Sequence, residues 1–144
     1  MAQRALLDVN VLIALFDPDH VHHPRVTDWM MRQVPHGWAT CPLTQLGLLR
    51  IMSQPAYPHP IGLSVLRASL AKATSHPAHQ FWAADISPLD DRLFPPDRLH
   101  GHQQLTDAYL LALAVANEGV LATLDQRIPL SAVAGARPHH LQLI

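Results

Sequence analysis

Three aspartates stand where chemistry could be done: Asp8, Asp107 and Asp125. The last two bracket a single stretch, LTDAYLLALAVANEGVLATLD, residues 105–125. Apolar residues at Leu110, Leu113, Ala114 and Ala116 recur at helical spacing, so the stretch reads as a helix opened by Thr106 and Asp107. Gly119 falls where a helix end tolerates left-handed dihedrals. Residues 120–124 then form an apolar run broken only by Thr123, the pattern of a buried parallel strand, and that strand delivers Asp125. Asp8 in turn ends the first apolar run of the chain, residues 5–7. One aspartate after a strand is ordinarily a cap or turn residue. Three at equivalent strand edges repel one another unless a cation neutralises them. Hard carboxylate oxygens suit Mg²⁺ or Mn²⁺, which keep several waters and use few protein ligands. Such an ion can polarise a phosphodiester, acidify a bound water and stabilise a leaving oxygen.

The elements that must position these acids follow in order. Residues 5–7 predict strand one, and 11–16 a short helix after the connecting residues Asp8, Val9 and Asn10. DPDHVHHP, residues 17–24, predicts a turn or loop, and 25–33 a second helix. A second strand is expected at 38–40. The helix over 42–52 carries Pro42 at an N-terminal position where proline is tolerated. A proline-rich connection at 54–60 leads to a helix near 61–73, and 81–84 suggests a third strand. Residues 85–102 are broken by proline and have room for one short helix. The stretch 105–125 comes next, and 140–143 predicts an edge strand. Strands alternating with helices imply an α/β fold with a parallel sheet covered on both faces.

Bulk properties narrow the class. A chain of 144 residues with 49% hydrophobic and 15% charged residues predicts one compact domain, residues 1–144, able to build a core without disulfides. One cysteine excludes an internal disulfide framework and fits a reducing cytoplasm. The apolar N-terminus is interrupted by Asp8 and Asn10 and reads as core strand and helix, not a signal peptide. No run approaches the roughly 18 apolar residues of a membrane span. Formal net charge is −1 and no basic run is visible, so composition does not announce a nucleic-acid partner. If nucleic acid is bound, a local patch or a metal must hold its phosphates.

LLDVNVLIALF near the N-terminus, then LTDAYLLALA, then GVLATLD, in that order and at these separations, resemble the PIN-domain ribonucleases. The segment WATCPLTQ with the following Gly47 and Arg50 narrows the resemblance to VapC toxins of bacterial toxin–antitoxin systems. The resemblance covers nearly the whole chain. It implies a three-layer α/β/α PIN domain with a central, mostly parallel sheet. It further implies a Mg²⁺- or Mn²⁺-dependent endoribonuclease that hydrolyses RNA through a metal-activated water, a cognate VapB-type antitoxin, and a homodimer. Asp8, Asp107 and Asp125 match the family's metal-binding acids. Thr123 and Asn10 match polar positions beside them and are expected to orient carboxylates or water, with a turn or capping role open for Asn10. Thr106 is expected to cap the late helix, whose N-terminus would help keep Asp107 ionised.

One position departs from the family. A glutamate is common on the helix after the second strand, yet no Asp or Glu occurs between Asp28 and Asp85. Gln45 is the polar residue on that helix, and it brings no charge. Three negative charges in place of four predict one strong metal site, not two, unless Asp90 or Asp91 supplies the missing acid through space. The alternative reading is a catalytically weak PIN module that binds antitoxin or RNA. A phosphotransferase with an aspartate nucleophile fits poorly, because Asn10 replaces its second acid.

Other residues have plainer readings. His20, His22 and His23 could bind zinc but lack an accompanying ligand set and read as a solvent loop. His100 and His102 read as surface, the three tryptophans as core or interface, and Cys41 as an inert buried thiol.

Overall fold

The computed structural model describes residues 3–144. Its sheet has five strands: β1 (Ala5–Leu7), β2 (Trp38–Thr40), β3 (His79–Phe81), β4 (Val120–Thr123) and β5 (Leu141–Leu143). They lie in the order β3-β2-β1-β4-β5, and every pair is parallel. Between them run α1 (Val9–Phe16), α2 (His23–Gln33), α3 (Pro42–Met52), α4 (Leu63–Thr74) and α5 (Leu105–Ala116). The expected three-layer α/β architecture is therefore present, with a sheet that is wholly parallel. No helix among the described residues is long and apolar enough to cross a membrane.

Alternation along β1 divides the core. Ala5 and Leu7 face a cluster with Val11, Leu12, Val26, Trp29, Leu48 and Leu66, contributed by α1 to α4. Leu6 faces the other cluster, built mainly from α5 with Trp82, Phe94 and Ile128. A helix whose Ala108–Ala114 segment is buried all round suits the position of α5 against the two central strands. Trp29, Trp38 and Trp82 all lie in these cores, and Cys41 is buried.

From β1 the chain steps outward to β2 and β3, then returns to the other side of β1 with β4. The strand order reverses between β1 and β4, and such a switch point opens a crevice at the carboxyl ends of the strands. Leu7 pairs with Ala122 in register, and the Asp8 N–H donates to the Ala122 carbonyl at 2.9 Å.

Several boundaries differ from the sequence expectation for identifiable reasons. Helix α1 begins at Val9, because Asp8 itself is the cap and accepts the Val9 N–H. Helix α5 is entered through a 3-10 turn at His102–Gln104, so Thr106 sits exposed inside the first turn and Gln104 takes the cap position without a side-chain bond. The capping role expected of Thr106 is thus not realised. Strand β3 lies two to three residues earlier than expected, since pairing with β2 ends where Trp82 turns inward to the core.

Gly119 also has a different reason from the one its position suggested. The left-handed residue after α5 is Glu118, with φ of 57°. A Cβ on Gly119 would stand 2.6 Å from the Arg4 carbonyl oxygen and 2.7 Å from Trp82 Cη2. Close approach of α5 to β1 requires the glycine. Gly119→Ala is expected to lower stability by about 1–3 kcal/mol, as overpacking against backbone does. Urea melts of the two proteins measure it, and an unchanged midpoint would refute the steric account.

Candidate metal centre

The hydroxyl of Thr123, the last residue of β4, ties the acidic centre together. Thr123 is 1% exposed. Its Oγ1 donates to Asp8 Oδ2 at 2.7 Å and accepts the Asp125 N–H at 3.0 Å. The Asn10 amide donates to the same oxygen at 3.4 Å, while Asn10 Oδ1 accepts the Leu124 N–H at 3.1 Å. The other Asp8 oxygen accepts the Val9 N–H at 2.7 Å. One side chain on β4 therefore fixes the carboxylate after β1 and the backbone that carries the next acid.

Charge completes the arrangement. Burial raises the Asp8 pKa above the ordinary carboxylate value, the Thr123 and Val9 hydrogen bonds oppose the rise, and the Asp125 charge adds to it. Asp107, in the first turn of α5, is pushed up to about 6 by burial first, then by the charges of Asp8 and Asp125, with Arg127 pulling the other way. The helix N-terminus favours an ionised Asp107, but desolvation and two like charges outweigh it.

Three clefts meet at Asp125. One is lined by Asn10, Leu124, Gln126 and Arg127, a second by Gln103, Gln104, Asp107 and Arg127, and a third, more apolar, by Thr123, Gln126, Ile128, Leu141 and Leu143. Arg127 closes an Asx-type turn on Asp125: its backbone N–H meets Oδ1 at 2.8 Å and its Nε meets the same oxygen at 3.3 Å.

Gln45 stands elsewhere. Its amide donates to Thr40 Oγ1 at 3.0 Å, and that hydroxyl also bonds His79 Nε2 at 2.8 Å. With Leu49, Arg67 and Leu70 it lines a groove between α3 and α4, and it lines none of the clefts at Asp125. Nor is a fourth acid supplied through space. Asp90 is bound by Arg92 through side chain and backbone, and neither Asp90 nor Asp91 contributes to the shift at Asp107.

The donor set fits a hard divalent cation. It is all carboxylate, and the like-charge repulsion that adds to burial in raising Asp107 is what a cation would relieve. Among the described residues, the group of three potential ligands that lies within 4.8 Å of one another is a different one, Asp17, Asp19 and His59. The three aspartates of the centre do not meet that spacing, so an ion held there would reach at least one of them through a retained water. The Asp17 group has a structural explanation. Asp17 caps the end of α1, accepts the Tyr57 hydroxyl and the Asp19 N–H, and is held below the usual carboxylate range chiefly by Tyr57. It clasps the 54–60 connection, with His59 an exposed 3.9 Å from Asp19. Sequence reasoning did not foresee this clasp, since nothing in the spacing of Asp17 and Tyr57 marks it. The zinc reading of the His20 loop finds no further support, as His23 Nδ1 contacts the Ala14 carbonyl and His20 Nδ1 accepts the His22 N–H.

A parallel α/β/α sandwich with carboxylates at the carboxyl ends of its central strands defines an α/β domain with an acidic centre at the switch point. The family is equally definite: a model described as PIN domain matches residues 5–135, and the chain belongs to that family. Its relatives within the family are VapC proteins. It is 51% identical over 138 residues to Ribonuclease VapC44 of Mycobacterium tuberculosis, covering 96% of this chain and 97% of the relative. To Ribonuclease VapC38 of the same organism it is 40% identical over 122 residues, 84% of each chain. The fold also matches a crystal structure of VapBC2 from Rickettsia felis bound to a DNA fragment from their promoter, with a TM-score of 0.61 and 12% identity over 99% of this chain and 98% of that one.

Proposed function

We propose that the protein is a Mg²⁺- or Mn²⁺-dependent endoribonuclease, the toxin of a VapBC-type pair, with Asp8, Asp107 and Asp125 holding the ion. The observation that carries this reading is the acidic centre itself, in a chain half identical along its length to a named ribonuclease: Thr123 ties the Asp8 carboxylate to the backbone of Asp125, and Asp107 shares a cleft with Asp125 and feels both charges. A bound Mg²⁺ or Mn²⁺ would supply Lewis acidity to a water and to an RNA phosphodiester. Asp8, buried and doubly hydrogen-bonded, presents a fixed ligand. Asp125 and Asp107 line the cleft open to substrate. Asp107, whose carboxyl is pushed up to about 6 in the metal-free fold, releases its proton when it takes up the ion and then serves as a ligand. Thr123, buried beneath the acids, positions the ligands, and Asn10 braces the same hydroxyl from the wall of a cleft. A VapB-type antitoxin and a second copy of the chain are the partners this reading brings with it.

Gln45, facing α4, keeps a second reading in view: a PIN module that binds metal and RNA with little turnover. Purified protein incubated with total RNA in Mg²⁺, Mn²⁺ or EDTA, beside Asp107→Ala, separates the two. Cleavage that needs metal and vanishes in the variant supports the nuclease, and calorimetry with Mn²⁺ is expected to show one tight ion. Intact RNA despite Mn²⁺ binding would favour the module.

A further inference from the structure

We infer that Arg127 is the phosphate-positioning residue of this site, holding Asp125 in the metal-free protein and the RNA backbone once a cation takes Asp125 over. The inference rests on the nuclease reading and adds a substrate contact that the three acids cannot provide. A centre of three carboxylates repels a polyanion, and the sequence has no basic run to offset it. Arg127 is the one Lys or Arg among the residues lining the three clefts at Asp125, and it lines the two more polar of them. No other Lys or Arg lines these clefts, and three of the arginines are engaged elsewhere: Arg4 donates to the carbonyls of Trp38 and Ala78, Arg32 pairs with Asp28 and Arg92 with Asp90.

The ion pair itself is built for exchange. Arg127 reaches Asp125 through Nε alone, at 3.3 Å, on an oxygen already satisfied at 2.8 Å by its own backbone N–H. Its terminal nitrogens make no hydrogen bond among the described residues, and its side chain is 91% exposed against 24% for Asp125. A bidentate pair would lock the guanidinium, whereas this single long contact leaves the planar fork free to meet two phosphate oxygens. A cation that neutralises Asp125 removes what holds Arg127 there. The side chain stays anchored by its turn, within reach of a phosphodiester in either cleft.

The test compares wild type, Arg127→Ala and Arg127→Lys. Mn²⁺ binding is measured by calorimetry, and binding of a fluorescein-labelled single-stranded RNA by anisotropy in Ca²⁺ across a salt series. Arg127→Ala is expected to bind Mn²⁺ as tightly as wild type or more so. Its RNA affinity should fall about tenfold, and its salt slope flatten by about 0.7, the loss of one single-strand phosphate contact. Arg127→Lys should recover the slope but not the full affinity, because an ammonium lacks the fork. Unchanged RNA affinity and slope in Arg127→Ala would overturn the inference while leaving the nuclease reading in place. Loss of Mn²⁺ binding in that variant would also overturn it, by making Arg127 part of the metal centre's structure. A wild-type protein that takes neither Mn²⁺ nor RNA would remove the nuclease reading and this inference together.

Discussion

Asp8→Asn is expected to leave the protein folded and to reduce metal-dependent RNA cleavage by about a thousandfold or more. The two halves of that result have separate causes. Asp8 caps α1 through its Oδ1 and receives the Thr123 hydroxyl on Oδ2. Asparagine is as good a cap as aspartate, and its carbonyl oxygen can keep one of those bonds. Relief of a buried charge, already raised in pKa by desolvation, offsets the loss of the other. Melting temperature should therefore change little. What asparagine cannot do is supply negative charge to a divalent ion, and a thousandfold in rate corresponds to about 4 kcal/mol of barrier. Circular-dichroism melts beside RNA cleavage in Mg²⁺ measure both. A folded Asp8→Asn protein that still cuts RNA at near the wild-type rate would remove Asp8 from the metal set.

Asp107 gives the second large effect, through pH. Its pKa is about 6 in the metal-free fold against an ordinary value of 3.8. Between those limits the folded chain holds a proton that the unfolded chain has released. The stability Asp107 contributes is thus fully present below about pH 4 and lost as pH rises through about 6. In EDTA, Asp107→Asn should be more stable than wild type at pH 7.5, with no difference at pH 4. Partial exposure of the group screens the gain to about 1 kcal/mol. Metal binding runs the opposite way, because the ion needs the carboxylate ionised. From the same pKa, wild-type Mn²⁺ affinity should fall about tenfold between pH 7.5 and pH 5. Urea melts in EDTA and Mn²⁺ calorimetry read the two trends. Equal stabilities at pH 7.5 would show that the acids do not repel one another as placed.

Most of what positions the acids was legible because it is local. The apolar runs at 5–7 and 120–124 and the helical stripe between Leu110 and Ala116 carry their periodicity in neighbouring residues, and strand-then-acid is a one-dimensional pattern. The elements that shifted are those fixed by contacts across the chain. Helix α5 begins through a 3-10 turn that no side-chain cap announces. Strand β3 ends where Trp82 leaves the sheet for a core built mostly from α5. Gly119 looked like a helix terminator, and its real constraint is a carbonyl of Arg4 more than a hundred residues away. The site divides the same way. The aspartates could be named from type and position, and Thr123 from its place before Asp125. The direction of Gln45, turned to Thr40 and the α4 groove, depends on packing between helices that the sequence does not spell out. Arg127 was invisible as a partner because its significance lies in lining two clefts at once.

The floor of this site has a neighbour that does no chemistry. Thr123 pairs in register with Leu143 of β5, and its carbonyl accepts the Ile144 N–H at 3.0 Å. Strand β5 is an edge of three residues, with Gln142 and Leu143 exposed, and such edges fray at far lower free energy than the central ladder opens. When β5 peels away, the strand bearing Thr123 gains an open rim on the side opposite Asp8, a template for another chain's backbone. Support of the strand that carries Thr123 and guarding of that rim are consequently one property of the last four residues.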